Sequence, residues 1–289
     1  MVDAVDRVRP RRSRRADQRT PEQLREHYAV ETELAARLRS ASRDERRTLY
    51  AAVYDELYRR VPHHPQMTRK AKAADRARSL ASQLGLLRRF LGRDSTYLEI
   101  GPGDCALSYL VAKRVKRVYA VDVSVEIAGA AETPDNFQLF ISDGSSIPVP
   151  PGSIDVAYSY QLMEHLHPDD AVEQLRNIYT ALAPGGRYVC VTPNRLSGPH
   201  DISKYFDDRP TGFHLREYTT TDLRRLFRQA GFARCEVYAS RGDRPYRLPL
   251  AGPVTCEFLL SRLPLRLRRT IARTRPVTLM LNCRFVGIK

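Results

Sequence analysis

No run in this chain of 289 residues approaches the roughly 18 apolar residues that a membrane-spanning helix needs. The opening stretch MVDAVDRVRPRRSRRADQR lacks the apolar segment of a secretory signal, so a cytoplasmic protein is expected. Cysteine is scarce. Cys105, Cys190, Cys235, Cys256 and Cys283 are odd in number and scattered, with no C-x-x-C pair. That argues against a disulfide framework and offers no zinc-ligand spacing, so the thiols are expected to be reduced and mostly buried. Internal repeats are absent as well. Positive charge is missing from one long stretch: between Arg117 and Arg176 there is no Lys or Arg, yet there are ten Asp and Glu, in a chain of net charge +15. Residues 1–20 carry seven Arg against three Asp, and residues 241–289 carry ten Arg and one Lys against two acids. An electronegative middle suits a crevice for a cationic ligand, and the basic outer segments are left to meet something anionic. Arg outnumbers Lys 42 to 6, a bias that a GC-rich genome also produces, so basicity by itself is no argument for nucleic acid.

Hydrophobic residues make up 42% of the chain, enough for one large domain or a core domain with an added lobe. Residues 1–19 read as a disordered basic tail. Helical order begins at Thr20, which forms a capping box with Gln23 and precedes Pro21 at the first helical position. Ser42 and Glu45 form a second box, opening a helix with Leu49, Val53 and Leu57 on one stripe and Tyr50, Tyr54 and Tyr58 on another. VPHHPQ then breaks the pattern, and a further helix is expected over 71–91. From Thr96 onward strands and helices alternate. Strands are expected near 96–100, 117–122, 137–142, 154–160, 186–192, 233–240 and 278–288, with helices near 104–114, 124–131, 169–183 and 219–231. This alternation predicts an α/β fold with a parallel sheet covered on both faces. Residues 241–277 form a basic insert before the last strand.

The stretch YLEIGPGDCALSYL, residues 97–110, reads as a buried strand, a glycine turn and the first turn of a helix. Gly101, Gly103 and Ala106 fit the loose dinucleotide pattern, but Glu99 and Asp104 flank the turn and would repel a pyrophosphate. A ligand with a cationic part and a neutral nucleoside, such as S-adenosylmethionine, suits those carboxylates better. A strand-to-helix turn with nothing bound is the alternative.

Here the chain resembles the class I S-adenosylmethionine-dependent methyltransferases, over roughly residues 75–289. LEIGPGD is similar to the first motif of that family, VYAVDVS to its second strand ending in an acid, ISDGSSIPVPPGSIDVAYSYQLMEHL to its adenine-contacting segment and fourth strand, and LAPGGRYVCVTPN to its fifth-strand motif. The resemblance implies a Rossmann-like seven-stranded sheet whose last strand is antiparallel, with residues 20–74 as an N-terminal helical lid and residues 75–289 as the catalytic domain. It implies that Glu99 and the Gly101–Gly103 backbone hold the methionine moiety, that Asp122 accepts the ribose hydroxyls, and that Asp143 and Gly144 meet the adenine. For Asp122 a helix cap, and for Asp143 a solvated turn, are the competing readings.

A hydroxyl acceptor needs a base or a metal, because a neutral alcohol attacks poorly. Glu164 and His165, just past the fourth strand, are the candidate catalytic residues. QLMEHL is similar to the E-x-x-E-H motif of the ubiquinone-biosynthesis O-methyltransferases and small-RNA 2′-O-methyltransferases, in which two Glu and the His hold a magnesium-like ion and a downstream His completes the set. HLREYTTTDL resembles that downstream segment, which implies Gln161, Glu164, His165 and His214 as ligands of Mg²⁺ or Mn²⁺. Gln161 also borders the cofactor, and it stands where the family has Glu, so one negative charge is lost. His165 as a metal-free base and a purely positioning role are the alternatives. His200 is a further nearby candidate, while His63, His64 and His167 carry little weight. The reading is O-methylation of a small-molecule hydroxyl on a phenolic, sugar or secondary-metabolite acceptor. RNA 2′-O-methylation and a silent cofactor-binding partner are its rivals, and the basic insert is a candidate contact for an anionic membrane face.

Overall fold

The computed structural model describes residues 17, 19–65, 73–124, 133–241, 244–282 and 284–289. Most of the basic tail, nearly all of the helix expected over 124–131, and Cys283 lie outside these residues.

Among the described residues, eight strands form one sheet in the order β3-β2-β1-β4-β5-β8-β6-β7. They are β1 Thr96–Ile100, β2 Arg117–Asp122, β3 Phe137–Ile141, β4 Ile154–Tyr160, β5 Leu182–Val191, β6 Arg234–Arg241, β7 Arg244–Leu248 and β8 Arg284–Ile288. Strands β3, β2, β1, β4 and β5 pair in parallel, and β8 runs antiparallel between β5 and β6. The expected antiparallel last strand is therefore present. The count is eight rather than seven because Arg244–Leu248, inside the basic insert, returns as a hairpin on β6.

The helices are α1 Pro21–Ser40, α2 Arg43–Arg60, α3 Ala73–Leu87, α4 Ala106–Ala112, α5 Pro168–Ala181, α6 Thr220–Gln229, α7 Ala251–Ser261, α8 Leu265–Ala272 and α9 Arg275–Leu281. Both anticipated capping boxes form: Thr20 and Gln23 close α1, and Ser42 and Glu45 close α2. The strand expected over 278–288 is corrected by the structure. Pro276 lies in the first turn of α9, Thr278 to Leu281 continue that helix, and only Arg284–Ile288 is strand. In the other direction, β5 starts at Leu182, directly after α5, four residues before the strand expected near 186–192.

Alternation along the strands explains why both sheet faces are covered. In β1, Tyr97 faces one core with Leu107 and Val111 of α4, and Leu98 and Ile100 face the other. The second core also takes Val30, Leu34 and Leu38 of α1 and Tyr50, Val53 and Leu57 of α2. The N-terminal helices are thus part of the main core. The strand order reverses between β1 and β4, and at such a switch point the ends of parallel strands open a crevice. Among the described residues, no helix is long and apolar enough to cross a membrane.

Candidate active site

Ile100, Gly101, Val121, Asp122, Ser142, Gly144, Leu162 and His165 line a cleft at this switch point, roofed by Tyr50 and Tyr54 of α2. The turn after β1 needs its glycines. Gly101 has φ +68°, and a Cβ there would meet the Leu162 side chain at 3.0 Å. Gly103 has φ +56°. Glu99 points to the α4 face and is 4% exposed, with Ser108 Oγ of α4 donating to it at 2.5 Å. Burial pushes its carboxyl up to about 8, and the neighbouring Asp104 and Asp122 add to the rise. A buried carboxyl in such surroundings favours a cationic neighbour. Asp104 itself is exposed and paired with Arg76.

Asp122 ends β2 in the cleft wall, and one of its oxygens accepts from Val123 N–H at 2.7 Å and Ser124 N–H at 3.4 Å. It therefore braces the loop after β2 while facing the cleft. Asp143 is differently employed. Its carboxylate accepts from the N–H groups of Ser145 and Ser146 at 3.0 and 2.8 Å and from both hydroxyls at 3.2 and 3.0 Å, so it holds a turn together. Ser142, Gly144 and Ser146 of that turn line the cleft and Asp143 is not among the lining residues. Gly144, at φ +89°, lies under the Tyr50 ring, which a Cβ would meet at 3.0 Å.

Past β4 the chain makes a short 3₁₀ turn, Met163–His165. Glu164 is fully buried, with Thr192 Oγ1 donating to Oε2 at 2.8 Å and Oε1 left without a partner. Burial raises this carboxyl to about 8. His165 Nδ1 donates to Phe213 O at 3.0 Å, and His214 Nδ1 donates to Glu217 Oε1 at 2.8 Å. These bonds place the proton of each neutral ring on Nδ1 and leave each Nε2 lone pair available. The two rings meet edge to face with centroids 4.9 Å apart, and Glu164, His165 and His214 offer ligand atoms that lie within 4.8 Å of one another. Desolvation lowers His165 to about 3 and His214 to about 4, so both stay neutral at physiological pH.

Gln161 is not drawn into this cluster in the same way. It is exposed, with φ +55°, and its N–H donates to Val191 O at 2.7 Å. His200 has a structural task, its N–H donating to Glu217 Oε1 at 2.7 Å and its ring contacting Ser197 Oγ at 3.0 Å. His167 caps α5, and His63 bonds Gln23 O. Tyr50 and Tyr54 both pack and line the cleft, while Tyr58 stacks edge-on against His64. Glu217 was not singled out from the sequence. Its spacing three residues after His214 was the available signal. The segment carrying His214 is clamped by α1: Glu31 accepts from Phe213 N–H at 2.8 Å, and Arg39 donates to Thr211 O and Gly212 O, each at 2.9 Å.

A family model of the methyltransferase domain matches residues 71–237. The chain belongs to the class I S-adenosylmethionine-dependent methyltransferases. It is 30% identical over 148 residues to a probable S-adenosylmethionine-dependent methyltransferase of Mycolicibacterium smegmatis, covering 51% of this chain and 54% of that one. A similarly named protein of Mycobacterium tuberculosis is 29% identical over 136 residues, covering 47% of each. The chain thus spans about half the length of these curated relatives. The fold matches a chain from the Haloferax volcanii complex of a methyltransferase activator with a methyltransferase at a TM-score of 0.53 and 18% identity, over 75% of this chain and 91% of that one. A Thermotoga maritima methyltransferase gives 0.52 at 15% identity, over 78% and 97%. S-adenosylmethionine is the cofactor of this methyltransferase family.

Proposed function

We propose that this methyltransferase moves the methyl group of S-adenosylmethionine to a hydroxyl of a small-molecule acceptor, with Glu164, His165 and His214 holding a divalent metal beside that hydroxyl. The observation that carries the reading is the buried, orphaned Oε1 of Glu164, a residue clustered with two imidazoles whose Nδ1 atoms are already bonded. A carboxyl forced up to about 8 in such a place accommodates a cation better than it accommodates its own charge. Two imidazoles and one carboxylate suit Mn²⁺ better than Mg²⁺, which prefers oxygen ligands. When bound, such an ion would lower the pKa of the acceptor hydroxyl.

The remaining work falls to the chain itself. Glu99 and the Gly101–Gly103 turn hold the methionine moiety, and Asp122 the ribose. Ser142 and Ser146 rather than the Asp143 carboxylate are left to meet the adenine edge. Tyr50 and Tyr54 keep water from the transfer, which in an in-line displacement is chiefly a matter of alignment. Metal-free catalysis by His165 is disfavoured, because a ring whose pKa has fallen to about 3 is a weak base near pH 7. The acceptor pocket draws on the segments the family pattern leaves variable, namely residues 21–74, 195–216 and 241–277.

The test is transfer of labelled methyl into cell extract split into small-molecule and RNA fractions, before and after chelation. The expected result is label in the small-molecule fraction, lost with EDTA and restored by Mn²⁺, while cofactor binding by calorimetry is nearly unchanged. Label in the RNA fraction alone would overturn the acceptor class. Turnover indifferent to EDTA would overturn the metal.

A further inference from the structure

Residues 251–281 form a lobe of three helices, α7 to α9, beyond the end of the family match at residue 237. Its inner face is accounted for. Leu260, Ala272 and Leu281 make a small apolar core with Leu196. Glu257, the only acid of the lobe, is 4% exposed and accepts from Asn194 Nδ2 at 2.7 Å and from the N–H of Thr220, at the start of α6, at 2.6 Å.

The outer face has no such explanation. Phe258, Leu259 and Leu267 are 54%, 59% and 48% exposed, half of the six large apolar side chains exposed among the described residues. Phe258, Leu259 and Arg262 share one outward stripe of α7 and its C-terminus, and Arg266, Leu267 and Arg273 point outward from α8 and its end. The Arg262 guanidinium lies 4.1 Å above the Phe258 ring. The lobe carries six arginines, and the single acid is spent inside it.

We propose that this lobe docks on an anionic lipid surface, with Phe258, Leu259 and Leu267 entering the headgroup region and the arginines meeting lipid phosphates. A nucleic acid would account for the arginines but not for three apolar side chains held out into water. A charged bilayer accounts for both. Asn194, to which the inner face of the lobe is tied, lies two residues past Thr192, the partner of Glu164, so the docking lobe is joined directly to the wall of the active site.

Co-sedimentation of the full chain with vesicles of phosphatidylcholine, or of phosphatidylcholine mixed with phosphatidylglycerol, tests this. Binding to the mixed vesicles only is expected, falling as salt is raised. The pair Phe258→Ser and Leu259→Ser should lower the partition coefficient about tenfold or more, and so should the pair Arg262→Glu and Arg266→Glu at low salt. Tyr246→Ser, which removes an exposed aromatic on β7, should leave it unchanged, and circular dichroism of each variant guards against misfolding. No binding to acidic vesicles overturns the proposal. So does binding that survives both paired substitutions, or tight binding to RNA that ignores Phe258→Ser and Leu259→Ser.

Discussion

Replacing Asp170 by Ala removes the acceptor shared by two buried side chains where α2 meets α5. Arg46 donates to it through Nε and Nη2 at 2.6 and 2.7 Å, and Tyr50 OH donates at 2.7 Å. The side chains of Arg46 and Asp170 are only 5% and 6% exposed, so water cannot take over the lost bonds. The intact pair is worth little net, because desolvation offsets most of its attraction. A stranded guanidinium is another matter, costing about 3–5 kcal/mol. For a large domain that corresponds to a fall of roughly 2–4 °C in Tm per kcal/mol. The loss should also reach the cofactor, since Tyr50 roofs the cleft and packs on Gly144.

Urea titration of wild type, Asp170→Ala, and the double substitution Arg46→Met with Asp170→Leu makes the comparison. The single substitution should cost several kcal/mol, and the apolar pair should recover most of it. Acidity gives a second readout. Burial opposes the charge on Asp170, but the Arg46 and Tyr50 bonds prevail and hold it below the usual carboxylate range. A carboxyl depressed on folding contributes stability that is complete above its unfolded pKa, near 3.9, and is lost as pH falls through the lower folded value. Wild type should therefore lose this contribution below about pH 4, and Asp170→Ala should lack that part of the slope. A cost under about 1 kcal/mol for Asp170→Ala would refute the reasoning, since it would mean that water or the remaining Nη1 bond to Ala41 O, at 2.7 Å, suffices for Arg46.

Asp122→Ala should weaken S-adenosylmethionine binding about tenfold or more by calorimetry, the span of a lost charge-assisted bond, and NAD should not bind either form. Glu99, raised to about 8, must ionise to meet a cationic ligand, so affinity for S-adenosylmethionine should rise with pH up to that value with proton release, and Glu99→Gln should flatten the slope. Glu217→Gln should lower Mn²⁺ affinity about 10–100-fold through a misoriented His214 while sparing cofactor affinity. Gln161→Glu should tighten the metal by supplying a second carboxylate as a fourth ligand, and equilibrium dialysis of both variants checks the pair.

The parts of this protein that could be read from residues alone are those where local chemistry and tertiary packing ask for the same thing. Thr20 with Gln23 and Ser42 with Glu45 are helix starts by their own hydrogen bonds, and the apolar runs of β1, β2 and β4 are strands because the sheet is covered on both faces. TLMLNCRFVGIK misled because a short apolar run satisfies a buried strand and a buried helix equally, and Pro276 in the first turn of α9 was the stronger sign. Asp143 shows a related ambiguity: the serines that follow it supply four donors at close range, so the competing reading of a turn is present, and the residue types alone do not separate a turn from an adenine contact. The cluster of Glu164, His165 and His214 joins residues some 50 positions apart, and the sequence names them only through motif likeness. What the sequence does not carry is the reason they can act together. The protons on His165 and His214 are fixed by the Phe213 carbonyl and by Glu217, and those partners are in place only because Glu31 and Arg39 of α1 hold residues 211–213. The N-terminal helices therefore shape the chemistry of the site as well as cover it.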